Sequence, residues 1–155
     1  MTRALFLLIL AASLAVAFID DEEAKALPDG AGKEVTAKVC LECHGAGHFR
    51  GQRLTQTEWS DKVYEMMDNG AKATDDEVTA VVAYLTKNFG KESKVWVNTA
   101  PLVELKSVLG FSIPEGDAIV AYRKDHPLFK EWRDLLNVPG VDAKKAESLK
   151  DKMLF

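Results

Sequence analysis

The sequence predicts an all-α chain of two small helical units behind an apolar leader. Three observations carry that prediction. Residues 74–90 combine a Thr74/Glu77 capping box, an apolar face at helical spacing and a terminal Gly90. Residues 56–70 repeat apolar positions three and four apart. Beyond residue 95, short helix-compatible runs alternate with Gly and Pro turns, which argues for antiparallel helix pairs.

The chain has 155 residues, 47% of them apolar, so it can bury a core. Its net charge of −4 gives no basic excess to point to nucleic acid for the chain as a whole. Residues 1–17 read as a signal peptide. Arg3 supplies a positive start, Ala4 to Leu14 an apolar run, and Ala15-Val16-Ala17 a small-residue cleavage site. The apolar stretch is shorter than the ~20 residues that span a bilayer. The mature chain is expected to start at Phe18, with Asp20, Asp21, Glu22 and Glu23 close behind, and to be exported to the bacterial periplasm.

Leu27-Pro28-Asp29-Gly30 reads as a loop. Residues 32–39 are helix-compatible, with Val35 and Val39 on one face and Gly32 able to admit a neighbouring helix closely. They run into Cys40-Leu41-Glu42-Cys43-His44, the Cys-x-x-Cys-His attachment pattern of a c-type haem. Each thiol can form a thioether with one porphyrin vinyl group, and His44 follows as the proximal iron ligand. Both cysteines of the chain lie here. A redox-active dithiol would want a βαβ context, and none is visible. A zinc site would want further soft ligands, and no cysteine remains to supply them.

Residues 45–51 hold three glycines and read as a loop, with His48 a loop residue rather than a ligand. In the helix over 56–69, Trp59, Val63, Met66 and Gly70 share a stripe. A thioether is the usual sixth ligand of an electron-transfer haem, so Met66 is favoured, with Met67 on the edge of the stripe as alternative. Plain core filling is the bland role for either methionine. In the next helix Val78, Val81, Val82, Leu85 and Phe89 form a face expected to pack on residues 32–39 and close a crevice.

The run Cys40–His44, Trp59, Met66, Gly70-Ala71, Glu77, Tyr84-Leu85 and Phe89-Gly90 resembles a small class I-like monohaem cytochrome c of the type found with periplasmic dehydrogenases. The resemblance covers about 65 residues, and Cys-x-x-Cys-His is its most specific part. It implies a cytochrome c fold over residues 18–94, one haem c on Cys40 and Cys43, and iron held by His44 and Met66.

Residues 91–94 form a polar joint. Helical segments are then expected near 102–109, 115–124, 128–136 and 143–153. The turns Val108-Leu109-Gly110-Phe111-Ser112 and Val138-Pro139-Gly140-Val141-Asp142 are alike. With Val97-Asn98-Thr99-Ala100 and Asp134-Leu135-Leu136, the unit over residues 95–155 resembles, across essentially all of 97–153, a tandem helix–hairpin–helix domain of the kind in competence DNA receptors and in an extrinsic photosystem II subunit. The resemblance implies hairpin N–H groups beside a phosphate. In DNA-binding members of that family each hairpin reads glycine–apolar–glycine; here Ser112 and Asp142 stand at the second glycine, and Asp142 would set a negative charge beside the phosphate. Nine Lys/Arg balance nine Asp/Glu in this unit, so the basic surface that drives non-specific DNA affinity is missing. His126, before Pro127, reads as a surface or capping residue.

The expected function is electron transfer, not enzymatic catalysis, with a periplasmic dehydrogenase or oxidase as partner and the C-terminal module docking a protein. Two alternatives stand: a DNA-binding redox protein, and a small haem peroxidase-like enzyme if the sixth iron position were open.

Overall fold

A computed structural model of the chain describes residues 21–155. The expected signal peptide and its cleavage after Ala17 lie outside the described residues. The chain is mostly helical, and its buried apolar residues form two separate cores.

The first core is built by α1 (Asp21–Lys25), α2 (Lys33–Cys40), α3 (Gly47–Arg50), α4 (Gln56–Asp68) and α5 (Asp75–Phe89). Helices α4 and α5 each start at a threonine N-cap with a reciprocal capping box, Thr55/Glu58 and Thr74/Glu77. Each box satisfies two backbone donors that the first turn would otherwise leave open. The buried side chains of α5, from Val78 to Phe89, face α2 and α4. Gly32 caps α2 at φ +90°. A Cβ there would stand 2.8 Å from Tyr84 Cβ and 2.9 Å from the Ala80 carbonyl, so the missing side chain sets how closely α2 crosses α5. Trp59 Nε1 donates to the Phe89 carbonyl (3.0 Å) and Tyr84 Oη to that of Pro28 (2.6 Å), pinning both ends of the unit.

The second core gathers side chains from β1 (Val95–Trp96), α6 (Leu102–Ser107), α7 (Ile113–Asp125), a 3-10 turn (Trp132–Asn137) and α8 (Ala143–Ser148). A short 3-10 turn (Lys150–Lys152) leads to β2 (Met153–Leu154), which pairs in parallel with β1, Val95 opposite Met153 and Trp96 opposite Leu154.

Four expectations are corrected. The purely helical unit is closed by a two-residue ladder, because Val95 and Met153 are buried side by side at its floor. The helix expected from 128 is absent up to Glu131. The Asn98 side chain donates to the Phe129 carbonyl and accepts from its N–H, a pairing that holds Phe129 extended. The helix expected over 143–153 stops at Ser148. The Gly-rich loop contains the single turn α3, because Phe49 and Arg50 are buried in opposite directions: Phe49 joins the first core, while Arg50 reaches Glu104 of α6.

Among the described residues, no helix is long and apolar enough to cross a membrane.

Candidate functional site

A cavity of about 370 Å³ lies inside the first unit. This is within the usual range for a small-molecule or cofactor pocket. Its walls come from four helices. Helix α2 contributes Val39 and Cys40, and the following turn Cys43 and His44. Helix α3 contributes His48 and Phe49. Helix α4 contributes Trp59, Lys62, Val63 and Met66, and α5 contributes Val81 and Leu85. Trp59, Val63 and Met66 of the stripe predicted on α4 therefore face the cavity, while Gly70 is exposed and outside its lining, and the Met66 thioether stands on a different wall from His44.

The structure brings Cys40, Cys43, His44 and Met66 to one cavity. Met67 is instead half-buried against the core beside it. The ring of His48 lies 4.6 Å, centroid to centroid, from that of His44. His48 is thus a wall residue next to the expected proximal ligand, a place the loop reading did not anticipate. His126 lies far along the chain at the end of α7, exposed and stacked on Tyr122 at 3.7 Å.

The donor set fits a c-type haem. His44 Nδ1 is 3.2 Å from the Gly45 carbonyl, a contact that suits a proton on Nδ1 and leaves Nε2 available to a metal. Both cysteines are free thiols. Burial pushes the Cys40 thiol up to about 11, the opposite of the lowered thiol of a redox-active Cys-x-x-Cys pair. Among the described residues, no group of three or more His, Cys, Asp or Glu side chains could hold a metal ion by itself.

Behind the cavity wall lies an ionic cluster missing from the sequence reading. Glu104 of α6 accepts from Arg50 Nε at 2.9 Å and from Arg53 Nη2 at 2.8 Å. Arg50 also donates to the Ala26 carbonyl. The signal for it was a lone acid inside the apolar run Leu102-Val103-Glu104-Leu105.

In the second unit the two similar turns lie side by side. Gly110 and Gly140 both take positive φ, +76° and +87°, as the turn at each position requires. Ser112 and Asp142 are the N-caps of α7 and α8. Glu115 joins the two turns: its carboxylate accepts from the Ser112 N–H (2.8 Å), the Ser112 hydroxyl (2.7 Å), the Asp142 N–H (3.3 Å) and Lys145 Nζ (3.0 Å). Burial pushes its acid upward, but hydrogen bonds from Ser112, Lys145 and Asp142 outweigh that and hold it at about 2. Pro114, at the second position of α7, offers no N–H. The hairpins therefore spend two of their backbone donors on an internal carboxylate.

Residues 90–153 match the family model described as a helix-hairpin-helix motif, which defines the class of the C-terminal unit. The chain is 34% identical over 64 residues to ComE operon protein 1 of Bacillus subtilis (strain 168), an alignment covering 41% of this chain and 31% of that protein. It is 35% identical over 63 residues to an uncharacterized protein of Haemophilus influenzae (strain ATCC 51907 / DSM 11121 / KW20 / Rd), covering 40% of this chain and 56% of that one. The matched part thus spans about a third to about half the length of these curated relatives. No solved structure matches the chain.

Proposed function

We propose that the chain is an exported c-type cytochrome that carries single electrons through one covalent haem, joined to a helix-hairpin-helix module that docks it to a protein partner. The observation that supports this reading most is the convergence of both thiols, the imidazoles of His44 and His48 and the thioether of Met66 on a single, mostly apolar cavity. Cys40 and Cys43 would tether the haem and His44 and Met66 would hold its iron. The group would supply one-electron exchange at a metal whose potential a thioether ligand raises. The chain's own part is to position and to exclude water. The Gly45 carbonyl fixes the ring of His44 by way of Nδ1, the α4 stripe presents Met66, and Val39, Phe49, Trp59, Val63 and Leu85 keep the pocket apolar. His44 and Met66 would both hold the iron and leave it no open place for a substrate, so the activity that fits is electron passage to a periplasmic dehydrogenase or oxidase rather than peroxidase-like catalysis. The test is the visible spectrum of the ferric, haem-loaded protein. A sulfur-to-iron band near the red end supports the reading, and a high-spin spectrum contradicts it in favour of catalysis.

A second reading, a redox protein that binds DNA, is favoured by the match of residues 90–153 to the helix-hairpin-helix model. The comparisons support this module, whereas the haem half of the proposal rests on the motif and the cavity. Against phosphate binding stand the balanced charge of the module and the engagement of the Ser112 and Asp142 N–H groups by Glu115. An anisotropy titration of the full mature chain with duplex DNA at moderate salt separates the two. Salt-sensitive binding would favour the DNA reading, and none would favour protein docking.

A further inference from the structure

The segment from Gly45 to Leu54 directly follows the Cys-x-x-Cys-His motif and has two working faces. On one, His48, Phe49 and Gln52 line the cavity. On the other, Arg50 and Arg53 close on Glu104 of the C-terminal unit at 2.9 and 2.8 Å. The side chains of Arg50 and Glu104 are each only 2% exposed and that of Arg53 11%. Such a cluster is costly to bury and is stable only when its geometry is well held. Here the backbone holds it as well. Arg50 Nη1 donates to the Ala26 carbonyl (2.9 Å), and Arg53 Nε to that of Ser93 (3.2 Å). The fit is also steric. A Cβ on Gly51 would stand 2.8 Å from Val103 Cγ2, so α6 lies directly against the segment's backbone.

We propose that Glu104 is a positioning residue for the haem site, and that α6 of the helix-hairpin-helix unit is the outer brace of the cavity wall. By fixing Arg50 and Arg53 it sets where His48, Phe49 and Gln52 stand, and it limits the play of His44 a few residues upstream. The inference rests on the haem reading of the cavity. It gives the C-terminal unit a role in the site whatever its external partner, and it lets a change at α6 reach the iron through one short segment.

The test uses full-length matured protein as wild type, Glu104→Gln, Gly51→Ala, and Gly51→Ala combined with Val103→Ala. Two quantities are read: amide hydrogen exchange over residues 45–54, and the haem midpoint potential with the sulfur-to-iron band. Glu104→Gln is expected to speed exchange in that segment by about tenfold or more, with the protection of α4 and α5 retained, and to shift the potential. Gly51→Ala is expected to do the same by pushing α6 away, and Val103→Ala to restore the wild-type values. If Glu104→Gln does not fold, the Gly51/Val103 pair carries the test. Unchanged exchange in 45–54 would overturn the proposal, as would faster exchange with potential and band unmoved. Absence of covalent haem in the wild type would sink the haem reading alone, and the exchange measurement would still decide the brace.

Discussion

Gly32→Ala is the sharpest probe of how the cavity is shaped. Gly32 has φ +90°, where an L-residue with a Cβ is strained by about 1–2 kcal/mol. The new methyl group would meet Tyr84 Cβ at 2.8 Å and the Ala80 carbonyl at 2.9 Å. Neither neighbour can yield cheaply: one is backbone, and the other is the root of a buried ring whose hydroxyl is bonded to Pro28. Overpacking of that kind costs about 1–3 kcal/mol. The sum is about 2–5 kcal/mol, a large part of the ~5–15 kcal/mol that stabilises a typical domain. With a urea slope of about 2 kcal/mol/M, the unfolding midpoint should fall by about 1–2.5 M. Helix α2 carries Val39 and Cys40, and α5 carries Val81 and Leu85, so the same change should disturb the cavity and weaken the sulfur-to-iron band. Urea denaturation followed by tryptophan fluorescence is the assay. A midpoint within a few tenths molar of wild type would refute the close crossing of α2 and α5.

Other perturbations separate the parts of the account. Met66→Ala should abolish the sulfur-to-iron band and Met67→Ala should keep it, since Met66 lines the cavity and Met67 packs beside it; the reverse pattern in visible spectra would exchange their roles. Glu115→Gln should destabilise the protein by about 1–3 kcal/mol at neutral pH, as charge-assisted hydrogen bonds are lost. The folded acid titrates at about 2, below the ~4.3 of an unfolded glutamate, so its contribution is full above that value and fades as pH falls toward 2; thermal melts of both proteins should converge in acid, and a difference that widens there would contradict the linkage. Residues 18–94 carry ten Lys/Arg and fifteen Asp/Glu, so association with a basic redox partner should slow as salt rises, and stopped-flow rates that ignore salt would argue against electrostatic docking.

Much of the first unit was legible because its signals are local. The Thr74/Glu77 box, the apolar face of α5 and the Trp59–Met66 stripe each lie within a few turns of one helix, and each recurs in the structure. The second unit was less legible because distant residues overrule local preference. Asn98 holds Phe129 extended, and the pairing of Met153 with Val95 ends the last helix early. Neither pairing leaves a trace in the composition of the segment it alters. The Arg50–Glu104–Arg53 cluster was hidden for another reason. Charged residues usually face water, and only the apolar neighbours of Glu104 hint that it does not. His48 follows His44 by four residues, too close in the chain to reach the opposite face of a haem held by His44. That argument concerns ligation, and the structure places the ring beside His44, in the wall.

The most direct test of the central claim is the intact mass, under denaturing conditions, of mature protein made alongside a working haem-attachment system. The account predicts a red protein whose mass exceeds the bare polypeptide by one haem, with the addition lost when Cys40 and Cys43 are both replaced by alanine. A colourless product with the mass of the polypeptide alone would contradict it.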